Sequence, residues 1–203
     1  PGTTHNITPN FAVEFVKVTH SIPDTMLTVL HTREGRVAYG LDFRVDRNPV
    51  LGETTDFDRL KELGKEGVKI LVGDSPRAGN SGRSSTETDI KNQLRFTLDS
   101  LYDDGGAIVV TTFSSHIERL KSILEVNDGR RKVALIGRSL KDYTKPAAEL
   151  GYLNLKNVEI ASFREEVDDL FEKISDQRDK WLIVCTGNQG EERSVLKKLS
   201  EDK

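Results

Sequence analysis

The chain has 203 residues, 31% charged and 35% hydrophobic, enough for one or two domains with a hydrophobic core and a heavily charged surface. Its 30 Lys and Arg against 33 Asp and Glu give a formal net charge of −3, which excludes a protein that grips nucleic acid by bulk positive charge but leaves a local basic groove open. No apolar run approaches the roughly 18–20 residues that span a bilayer, and the single cysteine, Cys185, excludes an intrachain disulfide framework and a cysteine-only zinc site.

Residues 1–10 are polar and show no signal peptide, so a cytoplasmic setting is expected. The chain opens on Pro1-Gly2 rather than Met, and both ends read as cut from something larger. Residues 11–18 (FAVEFVKV) alternate as a half-buried strand, and residues 26–31, 36–39 and 69–72 read similarly. Glu34-Gly35 marks a hairpin turn between the second and third. Residues 56–63 form a short helix with Thr55 as its cap. A Gly/Ser/Arg loop, residues 73–85, separates this β-rich front from a region of different rhythm.

In that region residues 86–102 read as a helix, with Ile90, Leu94, Leu98 and Leu101 at helical spacing and Thr86 as cap. A continuous apolar strand follows at 107–112, then a helix at 115–126 and a strand at 132–136. Residues 139–150 form a helix that either begins near Pro146 or kinks there. A helix at 164–175, a strand at 181–186 and a helix at 190–201 complete the series. Alternating buried strands and helices indicate βαβ units around a parallel sheet. The expected division is 1–80 and 81–203.

Ligands of such sheets sit beyond the carboxyl ends of the strands, where helix starts favour anions. Three strand ends meet that description: Thr111–Ser115, Gly137-Arg138-Ser139 and Thr186–Glu191. They read equally as ordinary strand-to-helix turns, and none matches GxGxxG or a Walker A loop. In the front part His20, Asp42 and Asp74 each follow a strand. One imidazole and two carboxylates suit a divalent ion, although each alone reads as a loop residue or turn cap. His5 reads as exposed and His31 as structural. His116 is the histidine placed to face the same edge as the other loops. Arg77 and Arg83 read as phosphate contacts or as solvated loop, and Cys185 as an inert core residue.

At these residues the sequence resembles the ribonuclease J branch of the β-CASP metallo-β-lactamase ribonucleases. The matching segments are THSIPD (19–24), GLDFRVD (40–46), DFDRLKELGKEGV (56–68), GDSPRAG (73–79), TTFSSHIERL (111–120), GRSL (137–140), AAELGYL (147–153) and CTGNQGE (185–191). They occur in family order and span nearly the whole chain. The resemblance implies an α/β fold: part of a metallo-β-lactamase αββα sandwich at 1–80, followed by a doubly wound β-CASP domain at 81–203, either complete or lacking a final strand. It implies hydrolysis of phosphodiester bonds in single-stranded RNA, 5′ to 3′ and exonucleolytic, with two zinc ions. His20 and Asp42 fall on metal ligands, and Asp74 on the acidic catalytic residue that supports the metal site. Arg77, His116, Arg138, Ser139, Asn188 and Gln189 are the candidate RNA contacts. The resemblance also implies homodimers of the full-length protein and no membrane partner.

The family's main metal motif, H-x-H-x-D-H, is absent, as are its later S-G-H and H-G-E segments. Zinc sites use three or four protein ligands, so His20 and Asp42 alone leave the metal site incomplete or absent in this chain. The expectation is a middle piece of a longer nuclease, inactive by itself. Two alternatives stand beside it: a degenerate RNA-binding module without a metal centre, and an unrelated domain binding a phosphorylated ligand at the Gly137 and Gly187 turns.

Overall fold

The protein, seen in a computed structural model that describes residues 2–76, 78–187 and 194–201, divides into two units, Pro1–Thr88 and Asp89–Lys203. The expected boundary at 80/81 falls in the loop ahead of the observed one.

The first unit is built on a five-stranded mixed sheet in the order β1-β2-β3-β4-β5. β1 (Thr4–Thr8), β2 (Phe11–Lys17), β3 (Met26–Thr32) and β4 (Gly35–Gly40) are antiparallel neighbours. Gly35 closes the β3–β4 hairpin at φ 129°, a conformation that glycine adopts freely. The chain then crosses through α1 (Phe57–Glu66) to β5 (Ile70–Gly73), which pairs parallel to β4. α1 covers one sheet face, where Val16, Val18, Leu27, Val29, Ala38 and Leu63 form the core. Its cap is Asp56, whose Oδ1 accepts from the Arg59 N–H at 2.9 Å. Thr55, the expected cap, instead accepts from the Thr19 N–H at 3.0 Å. β1 was not foreseen: THNIT is a polar, fully exposed edge strand with no apolar alternation to reveal it.

The second unit holds a four-stranded parallel sheet in the order β6-β9-β7-β8. Its elements are α2 (Glu87–Leu101), whose first two residues belong to the first unit, β6 (Ile108–Thr111), α3 (Ile117–Asn127), β7 (Lys132–Ile136), α4 (Arg138–Glu149), β8 (Val158–Ala161), α5 (Arg164–Asp176), β9 (Trp181–Cys185) and α6 (Val195–Glu201). Ala134 and Ile136 of β7 pack in one core with Leu170 and Ile174 of α5. By alternation Val133 and Leu135 point to the other face, and they are buried too, so the sheet is covered on both sides. β8 is hidden in the sequence because Glu159 interrupts VEIA, which therefore lacks the continuous apolar run that marks β5 and β6. α4 begins at Arg138 and runs through Pro146, which excludes a start at the proline; Pro146 lies in its last turn, where its missing N–H forgoes the one bond to the Asp142 carbonyl. The expected start of the last helix, Gly190, lies outside the described residues; the described part begins after Ser194, whose Oγ accepts from the Lys197 N–H at 3.2 Å.

Arg131, buried just before β7, donates to the carbonyls of Gly106 (2.6 Å), Tyr102 (2.8 Å), Trp181 (3.3 Å) and Leu101 (3.4 Å). It ties the amino ends of β6, β7 and β9 to the end of α2. Among the described residues no helix is long and apolar enough to cross a membrane.

Candidate functional site

Two strand edges carry the residues singled out from sequence, one in each unit. In the first unit β2, β4 and β5 run the same way, because β3 is antiparallel to both β2 and β4 while β5 is parallel to β4. Their carboxyl ends therefore share one edge. His20 follows β2, Asp42 follows β4 and Asp74 follows β5 directly. The Asp74 N–H donates to the Gly40 carbonyl at 3.2 Å and prolongs the β4–β5 pairing. The segment after β4 folds against that after β2, since the Arg44 N–H donates to the Thr19 carbonyl at 2.6 Å and the Thr19 hydroxyl to the Arg44 carbonyl at 2.6 Å. His20 is half-buried, with Nδ1 3.1 Å from the Ser21 hydroxyl; Asp42 and Asp74 are exposed.

The topology thus brings all three to one edge, but it does not close them into a ligand set. Among the described residues no group of three or more His, Cys, Asp or Glu is placed to hold a metal ion. Zinc is held by three or four protein ligands, so these residues do not fit a complete zinc centre by themselves.

The buried carboxylate of this region is Asp46, 2% exposed, which the sequence reading passed over. Its oxygens accept from the Glu87 N–H at 2.7 Å, the Asn48 N–H at 2.8 Å and the Arg44 guanidinium at 3.3 Å. It closes an Asp-x-Asn turn and caps the start of α2. The turn signal was present in the sequence; the partner Glu87 lies too far along the chain to be read from it.

In the second unit all four strands end at one edge. The Thr112 N–H donates to the Cys185 carbonyl at 3.1 Å, and the Gly137 N–H to the Ala161 carbonyl at 2.9 Å. Thr112, Thr186, Gly137 and Ser162 therefore succeed one another along the edge. His116 caps α3: its Nδ1 accepts from the Arg119 N–H at 3.1 Å. Arg138 and Ser139 are exposed in the first turn of α4, after Gly137 at φ 135°. Phe163, also unremarked in the sequence, stands exposed after β8 with the Lys141 ammonium 5.0 Å and the Arg138 guanidinium 5.6 Å from its ring centre. Arg77, Asn188 and Gln189 lie outside the described residues.

Sequence and structural comparisons bear on both units. The family described as ribonuclease J, beta-CASP domain, matches residues 105–203. A ribonuclease J of Pyrococcus abyssi is 38% identical over 202 residues, covering 98% of this chain and 44% of the relative. One from Methanocaldococcus jannaschii is 36% identical over 206 residues, covering 100% and 46%, and one from Sinorhizobium meliloti is 36% identical, covering 99% and 34%. The chain thus spans less than half the length of these relatives. A solved structure of a protein of unknown function from Enterococcus faecalis shares the fold, with a TM-score of 0.50 at 11% identity over 92% of this chain and 55% of that one.

Proposed function

Because this chain carries the β-CASP domain of ribonuclease J at 105–203 and matches ribonucleases J over nearly its whole length, we propose that it forms part of a metal-dependent ribonuclease acting on single-stranded RNA, 5′ to 3′ and exonucleolytically. In this reading the first unit is part of a metallo-β-lactamase αββα sandwich and the second a doubly wound β-CASP domain. The observation that carries the reading is the meeting of His20, Asp42 and Asp74 at one sheet edge in a chain with that sequence. His20 and Asp42 supply part of the ligand set for two zinc ions, which as Lewis acids would activate water and neutralise charge on the phosphate. Asp74 supports that edge. The family's H-x-H-x-D-H, S-G-H and H-G-E segments are absent from the sequence, so the 203-residue chain is expected to bind RNA without turning it over.

RNA contact belongs to the strand edge of the second unit. Exposed Arg138 and Ser139 offer a cation and a hydroxyl to phosphate there, and His116 stands at the start of α3; Arg77, Asn188 and Gln189, outside the described residues, are further proposed contacts. A net charge of −3 makes this attraction local, so binding will weaken steeply with salt. Homodimers and a cytoplasmic setting are proposals for the full-length protein.

The test is binding and cleavage of 5′-monophosphorylated single-stranded RNA with zinc or manganese, comparing the chain with Asp42→Ala. The expected result is salt-sensitive binding by both and cleavage by neither. Metal-dependent cleavage that vanishes in Asp42→Ala would show a complete site and overturn the incomplete one. Absence of binding at low salt would sink the RNA reading. The lack of a three-ligand cluster among the described residues also favours a second reading, a degenerate RNA-binding module. Cleavage restored by adding the segments that carry H-x-H-x-D-H in relatives would exclude it.

A further inference from the structure

Phe163 is a large apolar side chain with 54% of its surface exposed, and its surroundings give it a use. Its backbone is fixed at the junction of β8 and α5. The Glu166 carboxylate accepts from the Ser162 N–H at 2.8 Å, the Phe163 N–H at 3.2 Å and the Ser162 hydroxyl at 3.0 Å. Two cations from α4 border the ring, and they differ in commitment. The Lys141 ammonium donates to Ser162 Oγ at 2.9 Å and lies 4.0 Å from Glu166. The Arg138 guanidinium is exposed, and among the described residues it has the Phe163 ring but no carboxylate partner.

We propose that Phe163 is a stacking platform for one base of single-stranded RNA, with Arg138 reaching the adjoining phosphate. The inference rests on the RNA reading above and deepens it. An exposed aromatic face accepts any base, because every base has a π surface. A guanidinium suits both phosphate and a stacked plane. Arg138 can leave the ring without breaking an ion pair, whereas Lys141, held by Ser162, keeps the platform's border in place. The two elements meet where Gly137 pairs with Ala161, so ring and guanidinium start from adjacent strand ends.

The test measures fluorescence anisotropy with a labelled oligouridylate of roughly ten nucleotides and with an abasic oligonucleotide of the same length and charge. Phe163→Ala is expected to weaken oligouridylate binding about tenfold, leave the abasic affinity unchanged and keep the salt slope. Phe163→Trp is expected to restore binding. Arg138→Ala is expected to weaken both ligands and to lower the salt slope by about one. Equal oligouridylate binding by Phe163→Ala and the unaltered chain overturns the platform while leaving the RNA reading intact. An equal loss for both ligands in Phe163→Ala marks a structural role and also overturns it. If the unaltered chain binds neither oligonucleotide, the RNA reading and the platform fall together.

Discussion

Glu14 is a buried carboxylate on β2 with partners on two sides. Arg59 Nε and Nη2 donate to it at 2.5 and 3.0 Å, and His31 Nε2 lies 2.8 Å away. The Arg59 hydrogen bonds, helped by His31, hold its carboxyl below the usual range against the opposing effect of burial. A carboxyl lowered on folding contributes stability that is complete above its unfolded value, about 4.3. That contribution is lost as pH falls through the lower folded value. Glu14→Gln is therefore expected to lose roughly 1–3 kcal/mol at pH 7. The gap to the unaltered chain should close below about pH 4, as read by urea unfolding at a series of pH values. A gap that is constant with pH would refute the electrostatic account. Burial alone pushes the Cys185 thiol up to about 11, so maleimide is expected to label it only in denaturant. Cys185 was legible as core from the apolar run around it. Glu14 was not: Phe11, Val13 and Phe15 make the opposite face of β2 look like the inner one, and Arg59 comes from a helix far along the chain.

Among elements, α2 is the one whose start depends on a distant residue. Thr86 reads as its cap in the sequence, and the Glu87 N–H that follows it goes to Asp46. Asp46→Ala removes that acceptor and the one used by Asn48, leaving the N–H of buried Glu87 unmet, and is expected to cost roughly 1–3 kcal/mol. Hydrogen exchange should show the Glu87 amide losing protection before the middle of α2; unchanged protection there would mean that another group caps the helix. Arg131 does the same work for carbonyls at the amino ends of β6 and β9 and at the end of α2, and Arg131→Ala is expected to lower the urea midpoint more than Arg131→Lys, which keeps one donor. Strands buried on both faces, such as WLIVC, were legible because burial writes a continuous apolar run. β1 and β8 were not, because an exposed edge strand needs no apolar residues and Glu159 breaks the apolar run of β8. Apart from β8, the strands that set the two edges were legible. The tethers that fix their ends were not, since Asp46 and Arg131 act through partners remote in sequence.

At the scale of the whole chain, what could be read was the order of segments, and what could not was how far that order assembles a site. The sequence places His20, Asp42 and Asp74 after strands, and the sheet topology brings those ends to one edge. Closing a metal centre needs further ligands at bonding distance, and no pattern of spacing supplies them. The same first-unit sheet poses a problem of its own at its two borders. β1 ends one side with the polar sequence THNIT, and β5 ends the other with ILVG, of which every residue is exposed and Leu71 is 70% so. An apolar open edge offers both unpaired backbone groups and hydrophobic surface to another copy. Self-association of this chain is therefore expected to run through β5 rather than β1. Sedimentation velocity over a range of concentrations should show association that falls in Leu71→Lys, where the new charge guards the edge, and persists in Ile7→Lys, which alters an edge already polar. Equal relief by both substitutions would mean that the two edges are equally sticky and that side-chain polarity does not protect β1.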